Sequence, residues 1–289
     1  MEQAILGVIG GSGVYDVEAL ADAKELKIST PFGNPSDVIV VGTLAGVPVA
    51  FLPRHGRGHR IMPTEVNSRA NIYALKSLGV QYVVSISACG SMREDLKPRH
   101  IVIPDQVFDR TKARPSTFFG DGLVVHVSFD EPYCPVLSEL VYQAVHQTSV
   151  TVHRGGTFLV IEGPQFSTKA ESRIYRQWGV DLIGMTALPE AKLAREAEMC
   201  YAAMAHVTDY DVWHATEEPV TVAMLIDNLN ANAAVTKQAL TYLAPLVARR
   251  TERSCKCGSA LSSAIMTRPE LIPARVKKTL GLLLAKYLY

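Results

Sequence analysis

Short apolar runs recur along this chain, each too brief for a helix and each closed by glycine or polar residues. They are Ala4 to Ile9, Val38 to Leu44, Val47 to Leu52, Gln81 to Ile86, His100 to Pro104, Gly156 to Ile161 and Tyr201 to Val207. Near-continuous apolar runs suit strands buried on both faces. Helical periodicity falls between them, at Asn67 to Leu78 with Gly79 as its stop, at Thr168 to Gln177 and at Pro189 to Glu198. A longer helix is expected from Thr221 to Arg249. Strands alternating with helices predict an α/β sheet covered on both faces. Ala45-Gly46 joins two of the runs as a hairpin, which makes the sheet mixed.

The bulk numbers narrow the class. The 289 residues suffice for one large domain with a sizeable core, and no repeat or composition break marks a boundary within 1–289. A net charge of +1 offers no field for nucleic acid or an anionic membrane. No apolar run reaches the roughly 18 residues that span a bilayer. Met1-Glu2-Gln3 does not begin a secretory signal, so the expected setting is cytoplasmic. Two stretches read as loop-rich, Asp105 to Asp130 and Thr251 to Pro273, the second being the least ordered by expectation.

The odd cysteine count, Cys89, Cys134, Cys200, Cys255 and Cys257, does not suit a secreted disulfide framework. Cys255-Lys256-Cys257 is too few ligands for a metal, since no histidine follows His214. It reads as a vicinal redox pair or as two reduced thiols, and no metal or organic cofactor is expected. Cys89 follows an apolar strand with no acid-base partner and reads as a buried, inert thiol rather than a nucleophile.

Carboxylates are uncommon in strands, yet Asp209 and Asp211 end the run from Tyr201. Spacing i, i+2 on a strand sets both side chains on one side, as a turn or cap, or as readers of a ligand rich in hydrogen-bond donors. Polar groups recur at other strand ends: Ser12, Arg54 with His55, Ser87 with the Ala88 amide, and Thr186. Hydroxyls, a guanidinium, an imidazole and a backbone N–H together suit a small tetrahedral anion, and ligands of open α/β sheets sit beyond strand ends. Gly10-Gly11-Ser12-Gly13 is no dinucleotide fingerprint, because no G-x-G-x-x-G is present.

These residues in this order resemble the 5'-methylthioadenosine phosphorylases of the trimeric purine nucleoside phosphorylase class. The motifs are GVIGGSG at 7–13, TPFGNPSD at 30–37, RHGRGH at 54–59 and SACGS at 87–91. DRTKARP at 109–115, IEGPQFST at 161–168, GMTALPEA at 184–191 and TDYDVW at 208–213 complete them. The likeness spans about 5–245 and is poor over the divergent segment 250–289. It implies a three-layer α/β/α fold with a central mixed, partly barrel-like sheet. It implies phosphorolysis of methylthioadenosine to adenine and 5-methylthioribose 1-phosphate, with inorganic phosphate as co-substrate.

By that resemblance, phosphate sits against Ser12, Arg54, His55, Ser87, Ala88 and Thr186, with His59 placed to assist. Met185 holds the ribose hydroxyls, Phe166 packs on the base, and Asp209 and Asp211 read the purine. Asp209 is the expected general acid at N7, if burial and Asp211 raise its pKa. Asp211, ionised, accepts from the 6-amino group. Ser167 near the base and Val222 are expected specificity positions. Val222, Leu225, Ile226 and Leu229 share a helix face, which suits core packing and a methylthio pocket equally. His126 is expected to reach a neighbouring subunit's site in a homotrimer or dimer of trimers. Ser12 and Ser87 stand where Thr is common, Gln165 where Arg is frequent and Gly184 where Asn is frequent. The alternatives are a phosphorylase for methylthioinosine or another 6-oxopurine nucleoside, a non-catalytic nucleoside-binding protein, and a hydrolase.

Overall fold

In the computed structural model every residue of the first strand is buried, and strands pair on both its edges. The structure describes residues 3–10, 20–214, 222–250 and 252–288. In chain order the strands are β1 (Leu6–Gly10), β2 (Ala21–Leu26), β3 (Ile39–Leu44), β4 (Val47–Pro53) and β5 (Tyr82–Ser91). There follow β6 (Ile101–Ile103), β7 (Gln106–Arg110), β8 (Val152–Arg154), β9 (Thr157–Ile161), β10 (Leu182–Gly184) and β11 (Cys200–Asp209). The helices are α1 (Ser68–Ser77), α2 (Pro135–His146), α3 (Lys169–Gln177), α4 (Ala187–Glu196), α5 (Val222–Ala248), α6 (Ala274–Thr279) and α7 (Gly281–Leu288).

Among the described residues eleven strands form one mixed sheet, ordered β2-β3-β4-β1-β5-β10-β9-β7, with β11, β6 and β8 branching from β5. Alternation along the central strands feeds two separate cores. Cys200, Ala202 and Met204 of β11 join Leu140 and Val141 of α2 and Leu243 of α5, while Tyr201, Ala203 and Ala205 join Leu75 of α1 and Ala194 of α4. Helices therefore cover both faces, as the pattern predicts. The hairpin also forms, with Ala45 and Gly46 both at positive φ, the geometry a two-residue turn needs. No described helix is long and apolar enough to cross a membrane.

Local signals account for the helix ends. Asn67 caps α1 by accepting from the Ala70 amide, and Gly79 leaves it at φ +84. Thr168 and Glu171 close a reciprocal capping box at α3. Several elements escape sequence patterning. The edge strand β2 and most of β7 are solvent-exposed and carry no apolar alternation, so the Asp105 to Asp130 stretch is not all loop. The 251–273 region is likewise better packed than its composition implies: Cys257, Leu261, Ala264 and Ile272 are buried.

Candidate active site

The site opens where β5 changes partners. Along one edge β1 pairs with Tyr82 to Ser85, and β10 pairs only with Gly90 and Ser91. β11 follows the other edge from Tyr82 to Gly90. Residues 86–89 thus have no strand beside them on the first edge, and a cavity of about 350 Å³ lined by Ala88, Cys89 and Gly90 lies there. This corrects the expectation that the strand stops at Ile86. Ser87-Ala88-Cys89-Gly90-Ser91 has the composition of a turn, but its small residues stay extended and admit close neighbours. A Cβ on Gly90 would lie 2.8 Å from Asp209 Oδ1.

Arg54 follows β4, and its amide donates to the Gly10 carbonyl at the end of β1. Its guanidinium is 1% exposed yet lines the cavity. Nε and Nη2 donate to Glu190 at 2.6 and 3.2 Å, Nη1 to the Ile86 carbonyl and Nη2 to Ser85 Oγ. Glu190, on α4, also accepts from the Tyr201 hydroxyl. It lies within a quoted motif, but nothing in its spacing points to Arg54, 136 residues away. His55 Nδ1 meets the Ile61 carbonyl at 2.8 Å and its ring stacks on His59, centroids 4.4 Å apart. Burial, with the Arg54 charge, holds the His55 pKa down at about 3, so its imidazole is neutral near pH 7. A carbonyl only accepts, so Nδ1 carries the proton and Nε2 is an acceptor. Thr186, at the N-terminus of α4, donates to Ser87 Oγ at 3.0 Å. Ser87 is buried beside Ser85 and does not itself line the cavity. Ser12 lies outside the described residues, as do the side chains of Val222, Leu225, Ile226 and Leu229.

The acidic pair lines the same cavity by a different geometry from the one its spacing implies. β11 ends at Asp209 after a register shift, and Asp211 follows in a turn at φ +52. Strand alternation therefore does not set the two carboxylates; the left-handed turn does. Asp209 is 6% exposed, accepting from the Asp211 amide at 2.8 Å and contacting Thr208 Oγ1 at 2.7 Å. Burial raises the pKa of both acids; at Asp211 the Ser172 hydroxyl, which bonds its carboxyl, works against the rise and the Asp209 charge adds to it. Among the described residues that line the cavity, two buried oxygens have no hydrogen-bond partner, Asp211 Oδ2 and Ser167 Oγ. Met185 and the partly exposed Phe166 line it too.

One residue missed by sequence organises the wall. Arg114 Nη1 donates to the Met185 and Leu188 carbonyls, and Nη2 to that of Glu162. Its Nε pairs with Glu162 at 2.8 Å. Burial alone would push the Glu162 pKa up, but the Lys112 and Ala113 amides, Arg114 and Thr64 hold it down at about 2. Cys89 is a buried thiol facing the His206 carbonyl, with burial pushing its pKa up, as expected of an inert cysteine. His126 is exposed and lies away from this cavity.

Residues 5–244 match the phosphorylase superfamily. A Gloeobacter violaceus protein named S-methyl-5'-thioadenosine phosphorylase is 55% identical, over 99% of this chain and 96% of its own. One so named from Geobacter sulfurreducens is 53% identical, over 99% and 100%. The chain belongs to the S-methyl-5'-thioadenosine phosphorylase family. A solved methylthioadenosine phosphorylase from an antarctic soil metagenomic library superposes with a TM-score of 0.93 at 49% identity, covering 98% of this chain and 99% of that one. The Schistosoma mansoni enzyme, solved with adenine, gives 0.86 at 36% identity, covering 93% and 100%.

A Cβ at Gly184 would meet the Phe158 ring of β9 at 2.8 Å and the Ala88 carbonyl of β5 at 3.3 Å, so glycine lets β10 lie close to both. Gln165 is exposed.

Proposed function

We propose that this cavity catalyses phosphorolysis of 5'-methylthioadenosine, giving adenine and 5-methylthioribose 1-phosphate. The observation that carries the reading is Asp211 Oδ2, a buried acceptor with no partner in the cavity wall. An orphaned buried acceptor costs about 1–3 kcal/mol, which a ligand amino group recovers. The 6-amino group of adenine is such a donor; a 6-oxo purine would set acceptor against acceptor. Ser167 Oγ offers a second polar contact to the base, and Phe166 an apolar face.

Phosphate binds against Arg54, His55, the Ala88 amide and Thr186, with Ser12, Ser87 and His59 completing the set. Because Glu190 neutralises Arg54, the anion is held by directed donors rather than by a bare cation. The hydrogen of a hydrogen phosphate suits the Nε2 acceptor of His55. With the ribose against Met185, phosphate oxygen and purine lie on opposite sides of C1'. The C1'–N9 pair leaves with the base as a phosphate oxygen bonds C1', and the nearby anion stabilises the oxocarbenium character between them. Asp209 gives its proton to N7, so adenine departs neutral. Its raised pKa is what a proton donor near pH 7 requires.

The partners in this reading are a nucleoside and phosphate in the cytoplasm, and a homotrimer or dimer of trimers. Exposed Val124 and Met266 beside exposed His126 suit a subunit contact there. The test is adenine release from 5'-methylthioadenosine with and without phosphate. Release only with phosphate is expected. Turnover in phosphate-free buffer would make the protein a hydrolase, and preferential cleavage of methylthioinosine would overturn the role of Asp211.

A further inference from the structure

Four cysteines from three distant parts of the chain converge away from the catalytic cavity. Cys134 caps α2, Cys200 opens β11, and Cys255 and Cys257 flank the start of the 3-10 turn at Lys256–Ser259. Their sulfur atoms all lie within 4.8 Å of one another, and all four are free thiols. None lines the cavity. Spacing alone offers the two ligands of Cys255-Lys256-Cys257, and the starts of α2 and β11 supply the other two.

We propose that Cys134, Cys200, Cys255 and Cys257 form a closed tetrathiolate site for one zinc-class divalent ion that clamps the C-terminal segment to the sheet. A tetrahedral ion about 2.3 Å from each sulfur separates the sulfurs by roughly 3.8 Å. Cys200 and Cys255 are 3.4 Å apart and no separation exceeds 4.8 Å, so shifts of at most about 1 Å reach that geometry. Cys134, Cys200 and Cys257 are buried in an apolar core that Cys255 also packs against, and their four sulfurs are the ligand atoms that converge there. Four protein ligands and no open position mark a structural rather than a catalytic site.

The surroundings suit the charge. Four thiols release four protons on binding, and the complex carries two negative charges. The Leu137 amide points at Cys134 Sγ from the first turn of α2, at 3.4 Å. The Arg253 guanidinium lies over Gly258, next to Cys257, held there by the Glu198 carbonyl. Cys200 and Cys255 are 55 residues apart, so one ion closes a long loop and ties the C-terminal segment to the start of β11.

The test uses the full chain, purified under reducing conditions without chelator. Elemental analysis should find one zinc per chain. Cobalt(II) exchange should give the intense visible bands of a tetrahedral site and a thiolate-to-metal charge-transfer band. Cys255→Ser and Cys257→Ser should weaken retention by about 10- to 100-fold or more, since loss of a mere supporting contact already does that. Cys89→Ser should keep the full metal content. A reduced wild-type chain that takes up neither zinc nor cobalt at one equivalent overturns the proposal. So does an intact mass two or four hydrogens light, which means disulfides. The wild-type cobalt spectrum decides even if a serine variant fails to fold.

Discussion

Asp211 combines a left-handed backbone at φ +52, burial and an unpartnered oxygen. Strain of this kind costs on the order of 1–3 kcal/mol and collects where it is used. Asp211→Asn should lower kcat/KM for 5'-methylthioadenosine by about 5- to 150-fold, the equivalent of 1–3 kcal/mol, and should not lower it for methylthioinosine. A substrate panel reads the ratio; an unchanged preference removes Asp211 from base selection. His55 supplies a pH test. The native ring stays neutral down to about 3, whereas the unfolded imidazole takes up a proton below its ordinary 6.5. Its neutral burial therefore carries no proton penalty above 6.5, and stability falls as pH drops from there toward 3. In phosphate-free buffer, the Tm of wild type relative to His55→Gln should fall between pH 7 and pH 5. A difference independent of pH would contradict the assignment. The Asp209 and Asp211 positions are plain in the sequence, but the unpaired oxygen is not, because pairing depends on side chains brought from other elements.

At the scale of elements, β5 and α4 set the chemistry. An added methyl in Gly90→Ala would press on Asp209 Oδ1 at 2.8 Å and crowd Ile183 at 3.1 Å. We expect kcat to fall about 100-fold or more, as for loss of a general acid, with an unfolding midpoint that drops far less than for a core deletion. Parallel kinetics and urea melts separate the two. In α4, Glu190→Gln leaves the Arg54 guanidinium buried without its counter-charge. Breaking such a pair costs about 3–5 kcal/mol, to be read from urea unfolding. A loss below 1 kcal/mol would show that Arg54 relaxes toward solvent. Strands buried on both faces were legible, since their apolar runs are local. β2 was not, because an edge strand exposed to water keeps no apolar signature, and three-residue strands such as β8 and β10 are too short for any period.

Across the described residues, the sheet separates the two larger of three apolar clusters, and the C-terminal helices complete one of them. Ile272, Val276, Leu280, Leu283 and Leu284 pack in the same cluster as Ile72 and Leu75 of α1. Leu284 is fully buried, so Leu284→Ala should destabilise by about 2–5 kcal/mol in equilibrium urea unfolding. A change under about 1 kcal/mol would mean that the segment docks loosely. The superfamily match ends at residue 244, whereas the Gloeobacter violaceus relative aligns over 99% of the chain. The segment is held by burial and by the Glu198 carboxylate, which accepts from the Leu261 amide and the Tyr287 hydroxyl. Packing of that kind constrains size and polarity rather than identity.

The sequence by itself determined what neighbours along the chain decide: buried strands, helix ends at Asn67, Gly79 and Thr168, the hairpin at Ala45-Gly46, and the motifs that place the family. Those signals act through backbone sterics and apolar periodicity over a few residues. Only the tertiary structure decided the partner exchange along β5, the Arg54–Glu190 clamp, the turn that aims Asp211 and the meeting of four cysteines. Each of these joins residues far apart in sequence, and such contacts exist only once the sheet order has set which strand ends lie together.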